Sequence, residues 1–278
     1  MQSTTSFFVN SFLMLDLKCD RTSAEAYING IPVARVADGP GKTLRMFRPV
    51  NEFIVAGTNI LTLVVAPGDL PSLALIPYGV QTDVTPASVT LTLSRLPEGA
   101  FYDDPAAERL LAISWQSPVV AFSTPVVLNQ SVELQGNGQN WAWRRGGVLP
   151  DRSVWKSGVF ELLRYLRERM QRRDLEPYIQ LADPRYLDIA AAYQIPAEDR
   201  LQQFREQFAR ISTEDNWEME QIDMDRMDPR ICADGRLIEC VDTDWLPSLR
   251  TTPLENGVIR LRFPTFLAVI DGQWRIVL

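Results

Sequence analysis

The spacing of apolar residues changes character partway along this chain. From about residue 6 to 148 they fall in short runs, separated by turn dipeptides, and Ser88-Val89-Thr90-Leu91-Thr92-Leu93 alternates strictly. From about 156 they return at every third or fourth position, as in Val159, Leu162, Leu163, Leu166 and Met170. A period of two puts one face of a strand against a core, and a period near 3.6 does the same for a helix. With 278 residues, each half is long enough to bury its own core. The expectation is two domains, with an all-β sandwich over 1–149 and an α+β domain over 150–278, its helices packed on a curved antiparallel sheet.

Turn chemistry orders the first half. Asn29-Gly30 accepts the positive φ angles of a type I′ hairpin, so Tyr27-Ile28 and Ile31 to Val36 should pair. Ile60 to Val65, Leu44 to Val50, Val119 to Phe122, Val126 to Leu128 and Val132 to Leu134 are further strands, after a first strand near the N-terminus. One short helix is expected at Pro105–Ile113, capped by Asp104. Gly39-Pro40-Gly41-Lys42-Thr43 has the ending of a phosphate-binding loop. Val36 stands where that motif needs glycine, and Pro49 interrupts the helix that should follow, so a plain turn is expected.

Tyr27-Ile28-Asn29-Gly30, followed by Asn51 and by Ala56-Gly57-Thr58-Asn59 leading into Ile60–Val65, resembles the galactose-binding-like jelly rolls. The resemblance implies a jelly-roll-like sandwich and a carbohydrate- or protein-binding module, usually non-catalytic.

In the second half, Pro150-Asp151-Arg152-Ser153 reads as a linker before a helix at about 156–173. The other face of that helix carries Glu161, Arg164, Arg167, Glu168, Arg169, Arg172 and Arg173, and is expected to be solvated, with Arg164–Glu168 and Glu168–Arg172 as i,i+4 pairs. Asp183-Pro184 predicts the start of a second helix ending near Tyr193, and Pro196 the start of a third. Strands follow near 217–227, 230–233, 236–241, 258–263, 265–270 and 273–278, with hairpins at Asp234-Gly235, Asn256-Gly257 and Asp271-Gly272. The first of these pairs Cys232 with Leu237. The last pairs Val269 with Trp274, Leu267 with Ile276 and Thr265 with Leu278. Helices followed by antiparallel strands ending in Asp271-Gly272-Gln273-Trp274-Arg275-Ile276-Val277 resemble the NTF2-like (cone-shaped α+β) superfamily. That resemblance implies a cone of helices and curved sheet. The superfamily holds isomerases and dehydratases, whose enzymes often use a His–Asp pair or an Asp base with Tyr, and many binding proteins.

The chain has no histidine. Catalysis by Ser-His-Asp or Cys-His within the chain is thereby excluded, as is every His-containing zinc site. Cys19, Cys232 and Cys240 are odd in number and widely spaced, with no CxxC, so reduced and inert thiols are expected, with no metal and no cofactor. A net charge of −7 argues against a nucleic-acid partner. No run approaches the roughly 18 apolar residues of a membrane span. No Lys or Arg precedes Lys18, so a secretory leader is not expected and the cytoplasm is the expected location.

Two places remain for function. Trp141 and Trp143, at i and i+2 and followed by Arg144 and Arg145, would share one face of a strand. They offer a sugar-stacking or protein-docking platform, or else seal the junction with the second domain. Asp223 and Asp225 would likewise share a strand face, with Asp228 after them, and Asp242 and Asp244 repeat the spacing. Such carboxylates can share a proton or hold a hard cation, and within a cone Asp223 or Asp225 could serve as base beside Tyr186 or Tyr193. The alternative is exposed carboxylates beside turns. The expected function is a non-catalytic cytosolic binding protein (an adaptor, an immunity-type inhibitor or an assembly subunit) that meets another protein or a second copy of itself. An NTF2-like small-molecule enzyme and a carbohydrate-binding module are the alternatives.

Overall fold

The computed structural model describes residues 11–36, 43–66, 79–81, 86–101, 104–135 and 140–278. Among the described residues the protein is mostly β, with several sheets and four α-helices. It divides into two compact units, Met1–Gln139 and Asn140–Leu278.

In the first unit the strands are β1 (Ser11–Asp20), β2 (Ala24–Ile28), β3 (Ile31–Val36), β4 (Thr43–Pro49), β5 (Gly57–Val65), β6 (Gly79–Gln81), β7 (Ser88–Pro97), β8 (Glu108–Gln116), β9 (Phe122–Thr124) and β10 (Val126–Leu134). They make two four-stranded antiparallel sheets, in the orders β4-β1-β7-β8 and β10-β5-β2-β3, and a small β6-β9 pair. Strands β1 and β3, and β8 and β10, touch across the two large sheets. Alternate residues are buried from Leu13 to Cys19 in β1 (Leu13, Leu15, Leu17, Cys19) and from Val89 to Leu93 in β7 (Val89, Leu91, Leu93). Each fully buried leucine stabilises the fold by roughly 2 kcal/mol. The Asn29-Gly30 turn joins Ile28 to Ile31 with φ of 52° and 73°, as its sequence predicts.

Three expectations for this half change. Pro105–Ile113 is not a helix: Leu111 and Ile113 pair with Leu93 and Leu91 in β8, and cross-strand burial outweighs the local helix signal. Asp104 instead closes a turn by accepting from the Ala106 amide at 2.8 Å. The segments 126–128 and 132–134 are one strand, because Asn129, Gln130 and Ser131 continue the ladder against Thr62, Leu61 and Ile60. Only Phe122 of the 119–122 run is in a strand. Gly39 to Lys42, and Gly136 to Gln139 ahead of the tryptophans, lie outside the described residues.

The second unit holds α1 (Ala142–Arg145), α2 (Arg152–Gln171), α3 (Glu176–Tyr193), α4 (Ala197–Ser212), β11 (Arg230–Cys232), β12 (Leu237–Glu239), β13 (Leu249–Arg250), β14 (Arg262–Phe263), β15 (Phe266–Ile270) and β16 (Gln273–Ile276). The main sheet runs β11-β12-β15-β16, and β13 pairs with β14. The expected registers hold for Cys232 with Leu237, Val269 with Trp274 and Leu267 with Ile276. The unit begins at 140 rather than 150, because the 146–149 segment is bonded along its sheet. The Gly147 amide donates to Val269 O at 3.1 Å and the Leu149 amide to Gly235 O at 2.7 Å.

Asp151 is not in a linker but is the N-cap of α2, accepting from the Ser153 amide at 2.9 Å. The solvated face of α2 is also partly structural, since Arg167 donates to the carbonyls of Met219 and Glu220 and Arg164 pairs with Glu161 instead of Glu168. Helix α3 starts at Glu176, and Pro184 lies inside it. Proline removes the amide that would bond to the carbonyl four residues back. That carbonyl, Gln180 O, accepts from Arg275 Nη1 of β16 at 3.4 Å, and α3 packs on β16. The expected strand at 217–227 does not form: single bridges at Met219–Thr251 and Met227–Asp242 stand on either side of a turn at 224–226. The strand expected at 258–263 shortens to β14.

One core joins the helices to the sheets. Its centre is aromatic: Tyr178 and Tyr186 from α3, Phe204 and Phe208 from α4, Phe263 from β14, and Trp217. The ring centroids are 5.3 to 6.4 Å apart, at tilted or edge-to-face angles that favour the ring quadrupoles. Among the described residues no helix is long and apolar enough to cross a membrane.

Candidate functional site

The two tryptophans do not share a strand face. Trp141 is the N-cap of α1 and Trp143 lies within it, and only 4% and 5% of their surfaces are exposed. Arg144 and Arg145 are exposed at the end of the same helix, where the helix dipole favours positive charge. The first turn of α1 is held from α3: the buried Asp188 carboxylate accepts from the Ala142 amide at 2.6 Å. Burial pushes the Asp188 pKa up to about 6, against the lowering effects of that bond and of Arg145.

The expected Asp–Tyr constellation does not assemble. Tyr186 is in the aromatic core and burial raises its pKa; Tyr193 is half-buried at the end of α3. Asp223 and Asp225 are exposed on a turn instead of a strand, with Asp223 Oδ1 accepting from the Asp225 amide at 2.9 Å. A carboxylate that can bond to the amide two residues ahead favours such a turn over a ladder. Among the described residues, no group of three or more His, Cys, Asp or Glu side chains is placed to hold a metal ion.

Asp223 does border a cleft, with different company. Gln221, Ile222, Asp223, Arg226, Met227, Asp242, Ser248 and Arg250 line it. It has about 20 Å³ of room for a water-sized group, within about 270 Å³ of empty space that includes open solvent. The walls are two segments stitched by backbone bonds: Asp228 N to Val241 O at 3.0 Å, Thr243 N to Arg226 O at 2.8 Å, and Glu220 N to Arg250 O at 3.0 Å. Asp242 organises the back wall. Its Oδ1 accepts from the amides of Asp244 and Leu246 at 2.9 and 3.0 Å, and its Oδ2 from Arg250 Nη2 at 2.7 Å. Arg250 Nη1 donates to Pro247 O at 2.8 Å. Arg226 pairs with Asp244 and lies 3.9 Å from Asp242.

Two donors in this cleft are left over. Ser248 and Arg250 are each 5% exposed, and the Ser248 hydroxyl and the Arg250 Nε–H have no hydrogen-bond partner among the described residues. Both residues line the cleft, Ser248 just before β13 and Arg250 within it. Sequence reasoning marked Asp242 through its spacing to Asp244 but missed Ser248 and Arg250. No local pattern marks them, since Ser248, Leu249 and Arg250 are all buried and only the last two lie in a strand.

Compared with protein-family models, curated proteins and solved structures, the chain gives no match.

Proposed function

We propose that this protein is a non-catalytic binding protein of the cytoplasm, acting on another protein or on a second copy of itself. In this reading the first unit is a jelly-roll-like sandwich akin to the galactose-binding folds, and the second an NTF2-like α+β unit. The observation that carries it is the filled interior of the second unit. Tyr178, Tyr186, Phe204, Phe208 and Phe263 pack against one another there, which supports a core filled by side chains over one that encloses a substrate. An Asp–Tyr enzyme needs those tyrosines facing a cavity, and here Tyr186 belongs to the core while Asp223 and Asp225 lie on an exposed turn. A sugar platform needs open ring faces, and Trp141 and Trp143 are almost fully covered.

The test is the mass of the native species. Light scattering on the protein taken gently from its own cells should give a mass well above the 31.5 kDa of one chain. Recovery of a strict 31.5 kDa monomer would overturn the reading.

A further inference from the structure

We propose that the Ser248–Arg250 cleft binds a primary carboxamide, the group at the tip of an Asn or Gln side chain. The proposal rests on the binding-protein reading and names the chemistry by which a partner is recognised. A buried donor without an acceptor costs the fold its desolvation penalty, and two on residues that line one cleft point to a missing acceptor oxygen. The cleft has room for about one oxygen-sized group and opens to solvent, where the atoms behind that group would lie.

Charge separates the possible acceptors. The ionic groups lining the cleft are Arg226 and Arg250 against Asp223 and Asp242, so they balance, and Asp244 just outside adds a negative charge beside Arg226. A carboxylate would enter with a charge that nothing there neutralises, because Arg250 is already committed to Asp242 at 2.7 Å. A neutral carbonyl oxygen meets both donors without that cost. A primary amide adds a second match: with its oxygen on Ser248 and Arg250, its NH2 group faces the rim, where Asp223 offers a carboxylate. Such complementarity discriminates well, since an analogue lacking the amide leaves the same buried donors unpaired.

The probe is acetamide, titrated into the isolated full chain while the Arg250 Nε–H resonance is followed by NMR, with acetate and acetone as controls. The proposal expects a saturable shift with acetamide and weaker responses to both controls. Ser248→Ala should weaken acetamide about tenfold through loss of one hydrogen bond. That variant removes a buried hydroxyl which makes no bond among the described residues, so it should fold, and its unfolding curve checks this. Acetate binding as well as acetamide would overturn the proposal, and so would an Arg250 signal that acetamide leaves unmoved. The source of the amide is read separately. If Ser248→Ala breaks up the native complex, the amide is a partner's side chain; if the complex survives while acetamide binds, the ligand is a free small amide. A positive titration on a protein that is monomeric in its cells would refute the partner reading and leave the amide site standing, so the two failures are distinguishable.

Discussion

Asn29 Nδ2 donates to Asn59 Oδ1 at 2.9 Å, joining the β2–β3 hairpin to the start of β5. Asn59 is fully buried and uses its whole amide. Its Oδ1 also accepts from the Val55 amide at 2.8 Å, and its Nδ2 donates to Val55 O and Gly57 O at 2.9 and 3.0 Å. Asn29 in turn accepts from the Ile60 amide at 3.0 Å and donates to Phe53 O at 2.9 Å. The first unit is therefore tied together by two side-chain amides as well as by its apolar face.

Asn59→Ala should remove four hydrogen bonds, three to backbone groups and one to the Asn29 side chain, and destabilise the first unit by about 3 kcal/mol. Asn59→Asp should also destabilise it, because a carboxylate cannot donate to Val55 O and Gly57 O. Urea unfolding followed by hydrogen exchange at β5 checks both. Unchanged midpoints would show that the network is not what holds the turn.

Asp188 gives a stability that depends on pH. Its folded pKa, about 6, lies above the ordinary carboxylate value, so the folded state holds the proton more tightly than the unfolded state does. Its contribution is therefore most favourable below about pH 4 and is lost as pH rises through about 6. Asp188→Asn keeps an acceptor for the Ala142 amide and removes the charge. The variant should match the wild type near pH 4 and exceed it by about 2 kcal/mol at pH 7.5. Paired denaturation curves across this range measure it, and a difference that shrinks as pH rises would contradict the assignment.

The three cysteines should be silent in the native protein. Cys19, Cys232 and Cys240 are free and buried, and burial pushes the Cys19 thiol up to about 12 and raises the other two. A thiol reagent at pH 8 attacks only thiolates it can reach. It should label all three cysteines in denaturant and, at short times, none in buffer. Rapid native labelling at any one of them would mean that its strand opens locally.

Gly146 lies where the chain passes over β15. A Cβ placed there would meet the Ala268 Cβ at 3.0 Å and Arg236 O at 3.1 Å. Its own carbonyl accepts from Arg236 Nη1 at 2.9 Å, so the segment cannot move away freely. Gly146→Ala should cost the second unit about 1–3 kcal/mol through overpacking. Gly147→Ala, with no atom within 4 Å of the new carbon, should be near neutral. Thermal unfolding of the pair separates sterics from a general effect of glycine.

The hairpins at Asn29-Gly30 and Asp271-Gly272 were legible in the sequence because their determinants are local. Two residues that accept positive φ set the turn, and the period of two then sets which side chains face the core. The apolar stripe of α2 was legible for the same reason. Where a distant partner supplies the deciding bond, the sequence was silent or misleading. Glu176 to Asp183 is helical although Pro184 follows, because Arg275, far along the chain, takes the carbonyl that proline leaves free. Glu108–Gln116 is a strand because β7 is there to pair with it. The cleft is the extreme case, since Asp223, Asp242, Ser248 and Arg250 meet only after two irregular segments are stitched together by backbone bonds. Periodicity reports a side chain's face on its own element. Which of those faces meet depends on contacts between residues far apart in the chain, and those exist only in the folded molecule.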